Sequence, residues 1–114
     1  MSSQTDLQNI MNTFTAKCRG LFGDKLQDVR LYGSYARGDY TDDSDIDVMI
    51  ILKMDESETR KQLGIICEIA YEIDAEYDCL LSPVIQSEYS FNKYKELPGF
   101  HSNVMREGVS MIIF

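Results

Sequence analysis

The run Asp45–Leu52, DIDVMIIL, constrains the fold most, because after Asp47 it is wholly apolar. Apolar residues without alternation suit a strand buried on both faces, as at the centre of a sheet. Asp55 to Ala75 follows, with Leu63, Ile66, Ala70 and Ile73 at helical spacing and Ile65 and Ile69 widening the stripe. Asp55 with Glu58 three residues on resembles a capping box, Asp replacing Ser or Thr. Tyr77–Ile85, YDCLLSPVI, reads as the next strand, and Pro83 inside it argues for an edge position or an early end. Strand, helix and strand make a β-α-β unit, whose right-handed crossover leaves its two strands parallel if they share a sheet.

Upstream, Leu7, Ile10, Met11, Phe14, Cys18 and Leu21 mark a helix from Asp6 to about Phe22, with Thr5 or Asp6 to cap it and Gly20 or Gly23 to end it. Asp28–Tyr32 is a short strand joined to Asp45–Leu52 by a loop, so an antiparallel pairing is natural. Downstream come a short helix near Ser87–Lys95, a turn at Leu97-Pro98-Gly99 and a helical turn from Ser102 to Glu107 stopped by Gly108. Val109–Phe114 is a candidate last strand. The expected class is α/β (α+β), a mixed sheet of three to four strands flanked by helices. With 114 residues and 44% hydrophobic content, residues 1–114 are expected to form a single domain around one core.

A net charge of −8, with basic residues scattered rather than clustered, disfavours direct nucleic-acid binding, which depends on Lys and Arg neutralising phosphates. A small nucleotide carried with Mg²⁺ escapes that objection, since the metal offsets its charge. Cys18, Cys67 and Cys79 form no Cys-x-x-Cys pair and His101 is the one histidine, so neither a zinc site nor a disulfide framework is expected. Cys67 and Cys79 lie in apolar runs and read as small core residues. There is no signal-peptide pattern at Met1–Asp6, and no apolar stretch approaches the roughly 20 residues that span a bilayer. A cytoplasmic protein without a membrane partner is expected.

Asp45 and Asp47 are two apart on a strand and so share a face. Two carboxylates side by side are costly to bury unless a cation sits between them. The plain alternative is an ordinary solvated acidic loop at a strand entrance. Topology adds weight to the site. In the β-α-β arrangement Asp78, at the start of the Tyr77–Ile85 strand, falls at the same end of the sheet, and Gly33-Ser34 arrives there from the antiparallel strand. Glycine lets backbone approach a phosphate closely, and consecutive N–H groups at a helix start bind its oxygens. Ser34 adds a hydroxyl, and Arg37 is placed to meet a phosphate or a carboxylate of the cluster. Two other motifs fail: Asp39-Tyr40 replaces the Lys-Ser/Thr of a P-loop, and Val48 and Met54 occupy the glycine and glutamate positions of an EF-hand.

Gly33-Ser34, ten residues, then Asp45-x-Asp47 resembles the GS-x10-DxD motif of polymerase β-type nucleotidyltransferases, and GSYARGDYTDDSDIDVMI is similar to the family pattern throughout. The short length and the ending NVMREGVSMIIF resemble the minimal nucleotidyltransferases (MNT) that act as antitoxins in HEPN–MNT toxin–antitoxin pairs. The resemblance implies the polymerase β-like fold and transfer of AMP from ATP to a tyrosine of a HEPN ribonuclease toxin. It implies Gly33 and Ser34 as the phosphate-binding pair, Asp45 and Asp47 as metal-binding residues, and two Mg²⁺ ions. Asp78 is the choice for the third catalytic and metal-binding carboxylate, with Asp74 and Glu76 as nearby alternatives. A hetero-oligomer with the toxin is expected. A module that silences the toxin by masking it, and a small-molecule nucleotidyltransferase, are the other functions in view.

Overall fold

The computed structural model describes residues 4–41, 43–94 and 109–110. Helix α1 (Gln4–Phe22) leads through a short 3₁₀ turn (Gly23–Lys25) into strand β1 (Leu26–Tyr32). One helical turn, α2 (Ser34–Arg37), and a loop precede β2 (Ile46–Leu52). Then follow α3 (Glu56–Arg60), α4 (Leu63–Tyr77), β3 (Leu81–Ser87), α5 (Glu88–Tyr94) and the two-residue β4 (Val109–Ser110).

The sheet order is β3-β2-β1-β4. β2 runs antiparallel to β1 and parallel to β3, as the loop and the helical crossover require. Every β2 residue except Asp47 is buried, which is what its unbroken apolar run predicts for an inner strand. Pro83 lies on β3, an edge, where its missing N–H interrupts no inner ladder. On one face of the sheet Val29, Leu31, Ile46, Val48, Ile50 and Leu52 pack with Ile10, Phe14 and Cys18 of α1 and Ile66, Ala70 and Ile73 of α4. On the other face Met49 and Ile51 meet Phe91 of α5, with Tyr32 and Val84 beside them. β4 adds to β1 through Arg30↔Ser110 and Leu31↔Val109, and the Ser110 hydroxyl donates to Asp28 Oδ1 at 2.5 Å.

Three expectations change. The helix expected over Asp55–Ala75 is two helices, broken at Lys61-Gln62. Leu63 (46% exposed) and Ile65 (37%) stand outside the core at the first turn after that break, so the buried stripe begins at Ile66. Leu21, next to the end of α1, is likewise 46% exposed. The third change concerns the start of β3, which is Leu81 rather than Tyr77, because α4 continues to Tyr77. The turn at Leu97-Pro98-Gly99, His101, the helical turn at 102–107, Gly108 and residues 111–114 lie outside the described residues.

Candidate active site

Gly33 is where β1 turns into α2. Its φ of 75° and ψ of −153° belong to a region open to glycine alone. A Cβ added there would overlap Asp47 Oδ2 and crowd Asp47 Cγ at 3.2 Å. The glycine therefore makes room for a carboxylate of β2, and Tyr32, paired across the strands with Asp47, flanks the same spot. Ala36 N and Arg37 N both donate to Gly33 O at 3.1 Å, closing the single turn of α2. Tyr35 is buried and stacks on Tyr40, ring centroids 4.2 Å apart and planes 10° from parallel. That stack braces the loop between Gly33-Ser34 and Asp45, a feature the spacing of the two tyrosines did not announce.

Asp45 is exposed and lies one residue before β2, and Asp47 is half-buried on it. Burial first, and then the Asp45 charge, push the Asp47 carboxyl above its ordinary range, while Arg37 pulls it down. The two acids thus interact as their spacing demands. Arg37 is close enough to be felt by Asp47, and its guanidinium Nε also donates to Asp39 Oδ2 at 3.3 Å in an exposed ion pair. Burial, reinforced by the Asp47 charge, pushes the Tyr32 phenol up to about 12, so it stays protonated.

The third acid is placed differently from expectation. Asp78 does not begin a strand; it caps α4 in the left-handed conformation, φ 52° and ψ 54°. Asp tolerates that conformation better than most residues, because its short side chain can hydrogen-bond locally. Asp78 nevertheless lines a cleft of about 240 Å³ together with Asp45, Asp43, Ser44 and Tyr35. Asp74 is engaged elsewhere: its Oδ1 accepts from Leu81 N at 2.8 Å and from Cys79 Sγ at 3.6 Å, fastening α4 to β3. Glu76 is exposed on α4. In the parallel register Ile46 faces Leu81 and Asp47 faces Ser82, so β3 continues the carboxylate face with Leu80 and Ser82 rather than with an acid. Among the described residues no three His, Cys, Asp or Glu side chains come together as a ready metal site. Asp45 and Asp78 line one cleft, while Asp47 stands on β2 against Gly33. Cys18 is buried, whereas Cys67 and Cys79 are half-buried. Desolvation pushes the Cys18 and Cys79 thiols up to about 12.

A family model described as "Nucleotidyltransferase domain" matches residues 13–110. The chain belongs to the nucleotidyltransferase family. This nucleotidyltransferase is 32% identical to a Methanocaldococcus jannaschii protein provisionally named a protein adenylyltransferase, over 108 residues that cover 95% of this chain and 96% of that one. A second protein of that organism, with the same provisional name, is 41% identical over 80 residues, 70% of this chain and 79% of its own length. Among solved structures, a toxin–antitoxin with AMP-PNP superimposes with a TM-score of 0.55 at 20% identity, covering 91% of this chain and 73% of that one. A variant of the toxin–antitoxin MntA-HpeT gives 0.50 at 21% identity, over 88% and 70%. These likenesses establish the nucleotidyltransferase fold, and the family's substrate class is a nucleotide. Among the described residues no helix is long and apolar enough to cross a membrane.

Proposed function

We propose that this nucleotidyltransferase is an antitoxin that moves AMP from ATP onto a tyrosine of a HEPN ribonuclease toxin, in a hetero-oligomer with it. The observation that carries the reading is the interacting Asp45–Asp47 pair, with Asp47 set against Gly33. The names of the two M. jannaschii relatives support protein adenylylation, and the toxin–antitoxin neighbours support the type of partner. An acidic, singly folded domain of residues 1–114 in a reducing cytoplasm, without nucleic-acid or membrane partners, completes the proposal.

The donor set fits Mg²⁺. Asp45 and Asp47 offer hard oxygen ligands, and the burial and then the Asp45 charge that raise the Asp47 carboxyl are what a divalent cation offsets. Mg²⁺ is commonly held by one or two carboxylates plus substrate phosphates and water, so a pair suffices where no triad closes. Bound there, with a second ion nearer Asp78, it would neutralise the triphosphate and acidify the attacking hydroxyl. The chain's own part is positional. Gly33 presents bare backbone beside Asp47, Ser34 contributes a hydroxyl, and Arg37 brings a positive charge to the same rim. Asp78, which lines the same cleft as Asp45, would accept the proton of the acceptor hydroxyl.

The test is co-expression with a HEPN protein proposed as its toxin, followed by incubation of the separated proteins with ATP labelled at the α-phosphate. Label on a toxin tyrosine, abolished in Asp45→Asn/Asp47→Asn, is the expected result. Unlabelled toxin that is silenced all the same would leave masking as the function.

A further inference from the structure

β3 is an edge strand whose outer side is closed to a further strand. Ile46 N donates to Leu80 O at 2.8 Å, so the peptide groups of Leu80 face β2 and those of the next residue face outward. Leu81 N accordingly donates outward, to Asp74 Oδ1 at 2.8 Å. Pro83, two residues on and so on the same side, has no N–H to offer. At the far end of β3, Ser87 donates to Glu56, which brings α3 against the strand. Beside this closed edge runs a side-chain groove. Leu63, Cys67 and Tyr71 recur at four-residue steps and so share one face of α4. Cys67 and Tyr71 line a cleft of about 260 Å³ together with Leu80 and Pro83. Tyr71 is 70% exposed, Leu80 55% and Leu63 46%. Single exposed apolar residues are ordinary, but a row of them along a groove marks an interaction surface.

We infer that this groove docks an amphipathic helix of a partner protein, its apolar stripe laid along Leu63, Cys67 and Tyr71 and its flanks carrying lysine or arginine. The inference goes beyond the nucleotidyl-transfer reading and stands without it. A helix rather than a strand is required, because a strand laid on β3 would find neither of the outward N–H groups at Leu81 and Pro83. A helix satisfies its own backbone and needs only side-chain contact. The four-residue row on α4 is the ridge that packs into the groove of another helix, and the small Cys67 between Leu63 and Tyr71 leaves a notch for an incoming side chain. The charge of the occupant follows from the rim. Asp45 lines the cleft, and exposed Glu68, three residues before Tyr71, borders the row. Among the described residues no Lys or Arg lines the cleft. A second copy of this chain, net charge −8, would bring the same negative excess to the contact, whereas a basic helix is attracted to it.

Peptides of designed pattern test this. The ¹⁵N-labelled protein is titrated with three of them. The first combines leucine and lysine with leucine at three- and four-residue steps, the second alternates the same two residues strictly, and the third repeats the first with glutamate for lysine. They present a basic helix, a basic strand and an acidic helix. Saturable amide shifts at Cys67, Tyr71 and Leu80 with the first peptide alone are expected. Tyr71→Ala and Leu63→Ala, both at exposed helix positions, should each weaken that binding by about tenfold, as truncation of a central contact does. Equal shifts with the alternating peptide or with the acidic helix overturn the inference, as does the absence of shifts at these amides. Binding that survives both substitutions overturns it too, since the contact then lies elsewhere. A dimer of the parent protein in size-exclusion chromatography that Tyr71→Ala dissolves would make a second copy the occupant and would equally overturn it.

Discussion

The atom nearest to a Cβ added at Gly33 is Asp47 Oδ2. Gly33→Ala should therefore act through the carboxylate as well as through φ of 75°. It should lower stability by about 1–3 kcal/mol, the usual cost of a side chain held in a glycine-only region. Urea denaturation measures this, and Mg²⁺-dependent ATP binding should fall further than the stability loss accounts for; undiminished binding would reduce Gly33 to a turn. Asp47 gives a second expectation. Its folded carboxyl is raised, so the folded state holds a proton that the unfolded chain releases. That favours folding below the ordinary carboxyl range and is lost as pH rises through the raised value. Asp47→Asn, which cannot ionise, should raise Tm at neutral pH in the absence of Mg²⁺, and the gain should vanish on acidification. A gain that persists at low pH, seen by calorimetry across pH, would point to packing rather than charge. The Asp45-x-Asp47 spacing told all that a sequence can about this pair; the third acid was harder, because a left-handed Asp78 and a tethered Asp74 are decided by how α4 hands over to β3.

At the scale of elements, the apolar run of β2 pointed to an inner strand and Pro83 to an edge position or an early end; β3 is the edge and runs on to Ser87. Helix limits were less legible. Periodicity runs on through Lys61-Gln62, where the backbone turns, and Tyr77 continues a helix that the YDCLL pattern assigned to a strand. The cap of α3 was readable: Asp55 Oδ1 accepts from Glu58 N at 2.8 Å, as three-residue spacing suggests. α3 is also clasped from outside, with Ser87 and Ser90 both donating to Glu56 Oε1 and holding that carboxyl below the usual range. Such a partner at the end of β3 is invisible to local pattern. Asp55→Ala should cost about 1 kcal/mol, typical of an N-cap. Chemical denaturation reads that loss, and ATP binding should be unchanged because Asp55 does not line the cleft of Asp45 and Asp78. A loss of nucleotide affinity would mean that α3 supports the site.

For the whole molecule the question is whether docking and chemistry are separate. The proposed site, around Gly33, Asp45, Asp47 and Asp78, is at one end of the sheet, while β4 lies against β1 at the opposite edge from β3. Among the described residues β4 is an edge strand, and a sheet edge can accept a partner strand. A net charge of −8 steers the chain toward a basic surface, an attraction that weakens with salt. Replacing Asp45 and Asp47 by Asn removes two of nineteen acidic residues, so most of the steering charge remains. That double variant should still co-elute with the unmodified partner in size-exclusion chromatography, and should leave intact the ribonuclease activity proposed for that toxin. The parent protein, given ATP and Mg²⁺, should silence it. Full neutralisation by the variant at equal dose would show that binding alone is enough and that the carboxylate pair serves another end. Loss of co-elution in a variant that remains folded would show that the toxin's main hold on this nucleotidyltransferase passes through the site itself.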